Sequence, residues 1–156
     1  VLGSQEAVEM IDTAVETINS FDGKVFYTQD THGEDYLDTE EGRHLPVVHC
    51  IKGSEGWKIH PKIEKALLLK GATRIEKSTF GSEKLMGIIE KEVPEVESIT
   101  LIGICTDICV ISNAMLAKAH FQNTPVNVIS SACAGVTPES HENALAAMKM
   151  CHIEIQ

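Results

Sequence analysis

The segment Gly103-Ile104-Cys105-Thr106-Asp107-Ile108-Cys109-Val110 carries the sharpest chemical signal in the chain. It reads as a buried strand running straight into a helix, with Cys109 at the helix start. Ligands of open α/β sheets collect beyond the carboxyl ends of the strands. Free N–H groups and the positive dipole end of a helix favour a thiolate there. The same N–H groups can hold an oxyanion while a thioester-linked intermediate forms. On residue type alone, Cys109 reads either as that nucleophile or as a small buried hydrophobe. A metal or redox pair with Cys105 is the lesser alternative, because the three-residue gap suits neither a zinc knuckle nor a C-x-x-C motif.

A second group is Asp30, His32, Glu41 and His49. Asp30 and His32 stand at i and i+2 at the end of a strand, so both side chains can point to one side of an extended chain. His49 and Glu41 come from the loop that follows. Carboxylates and imidazoles together suit zinc, manganese or iron, with positions left open for water or substrate. The plainer alternative is a solvated loop, and Asp38-Thr39-Glu40-Glu41 reads most simply as a solvated turn. His44, His60, His120, His141 and His152 have no matching partner pattern and read as surface or structural. Cys50, Cys133 and Cys151 read as packing residues.

The elements that must position these groups follow from periodicity. Ser4 to Ser20 is an amphipathic helix, with Ala7, Ile11, Ala14 and Ile18 at helical spacing and Ser4 as its cap. Lys24 to Gln29 is β-branched and aromatic and reads as a strand. Residues 30–60 form a long irregular excursion, and excursions of this length are usually functional. Pro61 to Lys70 is a helix, and Thr73 to Glu76 a short strand. A helix opened by Ser82 stops near Pro94. Ser98 to Ile104 is a near-continuous apolar strand, the pattern of one covered on both faces. A helix follows with Val110, Ala114, Ala117 and Phe121 on one face. Pro125 to Ile129 is a strand, Pro138 to Met150 a helix capped by Thr137, and Ile153 to Ile155 a last strand. The alternation predicts an α/β fold: a three-layer, doubly wound, mostly parallel sheet with helices on both faces. The chain opens on a helix, whereas such folds begin on a central strand. One domain over residues 1–156, incomplete at its N-terminus, is therefore expected.

Composition bounds the function. With 156 residues, 43% hydrophobic and 23% charged, the chain is an ordinary packed domain rather than a disordered one. A net charge of −10 with 4% aromatic residues argues against nucleic acid or an anionic membrane as partner. Its apolar runs are too short to span a bilayer, and no signal peptide is visible. Five cysteines, an odd number in a chain of this size, argue against a disulfide framework and for a reducing cytoplasm.

GICTDICVISNAM resembles the nucleophile segment of the isochorismatase-like cysteine hydrolases, whose best-known members are nicotinamidases. FYTQDTH, EGRHLPVVHCIKGSEGW, IEKSTFGS and SSACAGVTPESHENAL extend the resemblance along most of the chain, in order. The resemblance implies that Cys109 is the nucleophile and that Lys77 is the lysine of an Asp-Lys-Cys triad. It implies a cis peptide at Ile104–Cys105 and an oxyanion hole made by the backbone N–H groups of Cys105 and Cys109. It implies a divalent metal, zinc first and manganese or iron next, on Asp30, His32 and His49, with Glu41 as a further ligand. The isochorismatase branch lacks this metal set, so these residues point to the nicotinamidase branch. Lys77 makes physical sense there, because an ammonium beside a thiol favours the thiolate. Phe80 can wall an aromatic substrate, and Trp57 can line the same pocket; both have a packing role as the alternative.

The implied activity is hydrolysis of a small carboxamide, nicotinamide to nicotinate and ammonia, in a cytoplasmic homo-oligomer. Other small substrates (isochorismate, a ureido or a carbamoyl compound) and a catalytically silent binding module are the alternatives. One implied element is missing: no D-x-Q-x-D-F motif occurs, so the triad aspartate has no counterpart. Asp107 and Asp30 match positions with other roles, and neither is assigned as the base.

Overall fold

The structure, a computed structural model, describes residues 4–156. The expected N-terminal helix is present as two pieces, α1 (Gln5–Glu9) and α2 (Ile11–Ser20), joined at Met10, which is itself in the αR region. Ser4 does cap α1, its hydroxyl accepting from the Ala7 N–H. Strand β1 (Phe26–Asp30) follows, then the irregular excursion, which contains a five-residue helix α3 (Glu40–His44) and two short turns of tight helix. The remaining elements are α4 (Pro61–Leu69), β2 (Thr73–Lys77), α5 (Glu83–Glu92), β3 (Ile99–Ile104), α6 (Ile111–His120), β4 (Val126–Ala134), α7 (Pro138–Met150) and β5 (Glu154–Ile155). Thr137 caps α7 with a reciprocal bond to Ser140.

All strand pairs are parallel. They fall into two groups, β1–β2 and β3–β4–β5. Helices α5, α6 and α7 cover one apolar cluster that includes Ile75, Met86, Ala114, Val128 and Met148. Helices α1, α2 and α4 build two more, around Ala14 and Ala132 and around Ile18 and Leu67. Ile102 of β3 touches all three clusters. The α/β architecture with parallel strands and helices on both faces is thus the one predicted.

Two details differ from expectation. Strand β3 is half-buried rather than covered on both faces, because among the described residues it pairs only with β4. Strand β4 runs on to Ala134, past the expected end at Ile129. The extension is accommodated by a register shift between Leu101 and Gly103. Gly103 has φ of 124° there, a conformation open to glycine and strained for other residues. No helix among the described residues is long and apolar enough to cross a membrane.

Candidate active site

Two groups of side chains meet at the carboxyl ends of the parallel strands. The first is built by register. Asp30 and Lys77 are the last residues of β1 and β2 and lie directly opposite one another in the ladder. Cys109 comes from the other strand group: β3 ends at Ile104, and a single π-helical turn, Thr106–Val110, leads into α6. Such turns are frequent at functional sites. The Lys77 side chain is only 4% exposed. Its ammonium donates to Asp30 Oδ1, to the Thr79 carbonyl at 3.0 Å and to Cys109 Sγ at 3.4 Å. The Cys109 thiol in turn faces Asp30 Oδ2 at 3.8 Å. Asp30, Lys77 and Cys109 therefore form one closed ion-pair group.

The charges explain the titration. Burial raises the Cys109 thiol above the ordinary value and the Asp30 carboxylate raises it further; the Lys77 ammonium opposes both without cancelling them. The Cys105 backbone N–H, turned towards the sulfur, also favours the thiolate. Burial pulls the Lys77 ammonium down, but Cys109 and Asp30 together outweigh it and hold the group protonated beyond the normal lysine range. Burial pushes the neighbouring Cys105 thiol up to about 11, which sets it apart as the inert partner. The Ile104–Cys105 peptide is cis, at the position the resemblance gave.

Asn113 holds this group from behind. It lies one helical turn beyond Cys109 and donates to the Cys109 carbonyl at 2.8 Å and to the Phe80 carbonyl at 3.1 Å. It accepts from the Ser82 N–H at 3.0 Å. One buried amide thus ties the nucleophile turn to the loop after Lys77. Sequence reasoning missed it; its signal was a polar residue four positions after Cys109 on an otherwise apolar helix face. His141, read as surface or structural, pairs with the buried Thr106 hydroxyl at 2.8 Å and pins the same turn to α7.

The second group is built by the long excursion. Past β1, the chain at His32 bridges Ile51: the His32 N–H donates to the Cys50 carbonyl and the Lys52 N–H to the His32 carbonyl, both at 3.0 Å. This bridge brings His49 back beside His32, with ring centroids 4.9 Å apart. Fully buried Tyr36 wedges against both rings and anchors its hydroxyl on the Leu45 carbonyl. Glu41 arrives on α3, which can pack this closely only because residue 42 is glycine: a Cβ there would lie 2.0 Å from the Tyr36 carbonyl oxygen.

Glu41 Oε1 stands 3.7 Å from His32 Nε2 and 3.6 Å from His49 Nε2. These gaps are too long for hydrogen bonds. They are near the separation of about 3.3 Å between two ligands of one tetrahedral ion with bonds of about 2.0–2.1 Å. His49 Nδ1–H donates to the Val47 carbonyl at 2.7 Å, which leaves the Nε2 lone pair facing Glu41. His32 Nε2 is buried with no hydrogen-bond partner. A nitrogen pair and a carboxylate with an orphaned donor atom fit a divalent cation. The ligand atoms of His32, Glu41 and His49 all lie within 4.8 Å of one another. Asp30, grouped with them by sequence, lies outside this set and faces Lys77 and Cys109.

The two expected pocket residues behave differently. Trp57 donates from its indole to Thr31 Oγ1 at 2.9 Å, its carbonyl accepts from Gln29 at 2.6 Å, and Arg74 lies over its ring. It bolts the excursion to the end of β1. Phe80 is 42% exposed in the turn after Lys77, free on its outer side.

The isochorismatase domain model matches residues 2–155. A nicotinamidase/pyrazinamidase from Bacillus subtilis superposes with a TM-score of 0.83 at 25% identity, over 97% of this chain and 86% of its own. A pyrazinamidase of Pyrococcus horikoshii in complex with zinc superposes at 0.77 with 22% identity, over 97% and 86%. An N-carbamoylsarcosine amidase from Thermoplasma acidophilum does so at 0.76 with 22% identity, over 100% and 86%. The last two share the fold. Among the curated proteins, none matches this chain.

Proposed function

This chain belongs to the isochorismatase-like hydrolase family, and we propose that it is a cysteine amidohydrolase acting on a small carboxamide, nicotinamide foremost. The observation that carries the reading is the Cys109 sulfur, held 3.4 Å from the Lys77 ammonium at a strand-to-helix junction. The B. subtilis neighbour, a nicotinamidase/pyrazinamidase by name, supports the substrate class.

The Lys77 ammonium stabilises the Cys109 thiolate, which attacks the carboxamide carbon. The backbone N–H groups of Cys105 and Cys109 receive the oxyanion. When the C–N bond breaks, the nitrogen leaves as ammonia with the thiol proton, and the acyl group stays on sulfur as a thioester. Water then cleaves the C–S bond, giving the carboxylic acid and the free thiol. His32, Glu41 and His49 would hold a divalent cation, zinc before manganese or iron, which supplies a Lewis-acid anchor for substrate or water. Phe80 offers an exposed ring in the turn after Lys77 against which a flat aromatic amide can lie, whereas Trp57 shapes the loop. The reading includes a reducing cytoplasm, in keeping with five free thiols, and a homo-oligomer by family resemblance.

Ammonia release from nicotinamide and a panel of small amides tests it, with Cys109→Ala as control. Release by the wild type and none by the variant is expected. Equal turnover in the two would remove Cys109 as nucleophile.

A further inference from the structure

The nucleophile turn has two flanks, and each is held by side chains that the proposed chemistry does not use. On the flank of β1 and β2, Asn113 ties the Cys109 carbonyl to the Phe80 carbonyl. On the flank of β4, Thr106 and Asp107 do the tying. Cys105 heads the turn and makes no side-chain cap bond. An aspartate at such a place ordinarily accepts from its own turn. Asp107 instead points both carboxylate oxygens outward, each 3.2 Å from the Val136 N–H. Fully buried Thr106 reaches the same segment through His141, at 2.8 Å. That segment is short and tight. It leaves β4 at Ala134, which pairs with Ile104, and enters α7 at Pro138. A Cβ on Gly135 would stand 2.9 Å from the His141 backbone nitrogen, so the chain there lies directly on the first turn of α7.

Val136 is thus tied down at its N–H while its apolar side chain stays exposed. Ile104, at the end of β3, is exposed beside it. Exposed Phe80 lies on the other flank of the turn. No hydrogen bond joins Asp107 to Cys109 or Lys77 among the described residues. We propose that Asp107 is a positioning residue and Val136 a specificity-determining one: their bond holds the segment between β4 and α7 against the nucleophile turn, and Val136 there limits the width of the acyl group that reaches Cys109. This rests on the cysteine-hydrolase reading and deepens it. The substrates are narrow, flat amides rather than amides carrying bulky substituents. Asp107 acts through Val136 and not on the sulfur.

The test alkylates Cys109 of the full chain at neutral pH, with iodoacetamide and with the wider N-benzyl iodoacetamide. Both rates are read on the Cys109 peptide by mass spectrometry. The ratio of the wide to the narrow rate is expected to rise about tenfold in Val136→Ala. Asp107→Ala, which frees the segment, should raise it about fivefold, whereas Asp107→Asn, which keeps an oxygen for the Val136 N–H, should stay within about twofold of wild type. A change of charge near the thiolate acts on both reagents alike and cancels in the ratio. In the Val136→Ala background, Asp107→Ala should add less than about twofold, because the two act through one contact. In the wild type, the Val136 amide should exchange with deuterium at least about tenfold more slowly than a free amide, a readout independent of how any variant folds. In turnover, Val136→Ala should lower KM for a ring-substituted carboxamide more than it changes kcat.

A ratio unmoved in Val136→Ala would overturn the specificity role. A ratio unmoved in Asp107→Ala, one raised as far by Asp107→Asn as by Asp107→Ala, or an unprotected Val136 amide in the wild type would each overturn the positioning role. Ammonia release from nicotinamide with unmoved ratios would sink both roles and leave the hydrolase reading standing. The expected ratios without ammonia from any amide would instead sink the hydrolase reading and leave the placement of Val136 by Asp107 standing.

Discussion

Lys77 and His32 are both buried polar side chains near the end of a strand, 4% and 5% exposed, yet their surroundings differ. Lys77 has a carboxylate, a carbonyl and a thiol around its ammonium. His32 Nε2 has no hydrogen-bond partner, and the carboxylate nearest it stands 3.7 Å away. The first group is complete in itself and sits on strand ends locked by a ladder and by Asn113. The second hangs on an irregular loop and leaves a donor atom unsatisfied, a condition that costs about 1–3 kcal/mol. A closed group of that kind is satisfied by the fold itself, whereas an open cup leaves an atom for a ligand to satisfy. On the proposed reading, the difference separates the residues that would transform a substrate from those that would hold a cation beside it.

Perturbing one group without the other should break that comparison if it is wrong. The largest effect is expected from Lys77→Met, which leaves Cys109 with burial and Asp30 raising its pKa and no ammonium opposing them. Amide turnover should fall at least about a hundredfold, and the pH midpoint of Cys109 alkylation should move up, while binding of cobalt(II), a coloured probe of the cation site, holds. Next comes His49→Gln, expected to weaken cobalt binding about a hundredfold while the Cys109 alkylation rate stays near wild type. Asn113→Ala removes a bracket of three hydrogen bonds and strands the Ser82 N–H; a loss of about 2–3 kcal/mol in urea unfolding is expected, with the cobalt band unmoved.

The smallest effect concerns Cys133, 6% exposed beneath the same strand ends. Burial pushes its thiol up to about 11. A group with its folded pKa raised lends stability that is intact below the unfolded value and is lost as pH rises through the folded one. Stability should therefore decline between about pH 8.5 and 11 as this thiol ionises in the unfolded chain first. The decline should be shallower in Cys133→Ala, as urea midpoints across that range will report.

Much of this was legible in the sequence for a physical reason: periodicity and residue type report local structure. The apolar run into TDICV marks a strand meeting a helix, and so marks the position of Cys109. His32, Glu41 and His49 were legible only as candidates, grouped with Asp30, because the same imidazoles and carboxylates in one excursion also read as a solvated loop. The position of Asp30 was not legible. Spacing of i and i+2 says which side of a strand a residue faces, but not which residue of another strand lies opposite. Only the register pairs Asp30 with Lys77. The half-exposure of β3 was hidden for the same reason, since strand pairing is a long-range property that an apolar run does not carry. The role of Trp57 turned on a hydrogen bond to Thr31, 26 positions away.

The central claim is that Cys109 becomes acylated. Rapid acid quench of the protein during turnover of nicotinamide, followed by intact mass and peptide mapping, tests it directly. The account predicts a nicotinoyl thioester on Cys109, released by hydroxylamine and absent from Cys109→Ala. Steady ammonia release from a protein that never carries an acyl group on Cys109 would contradict it.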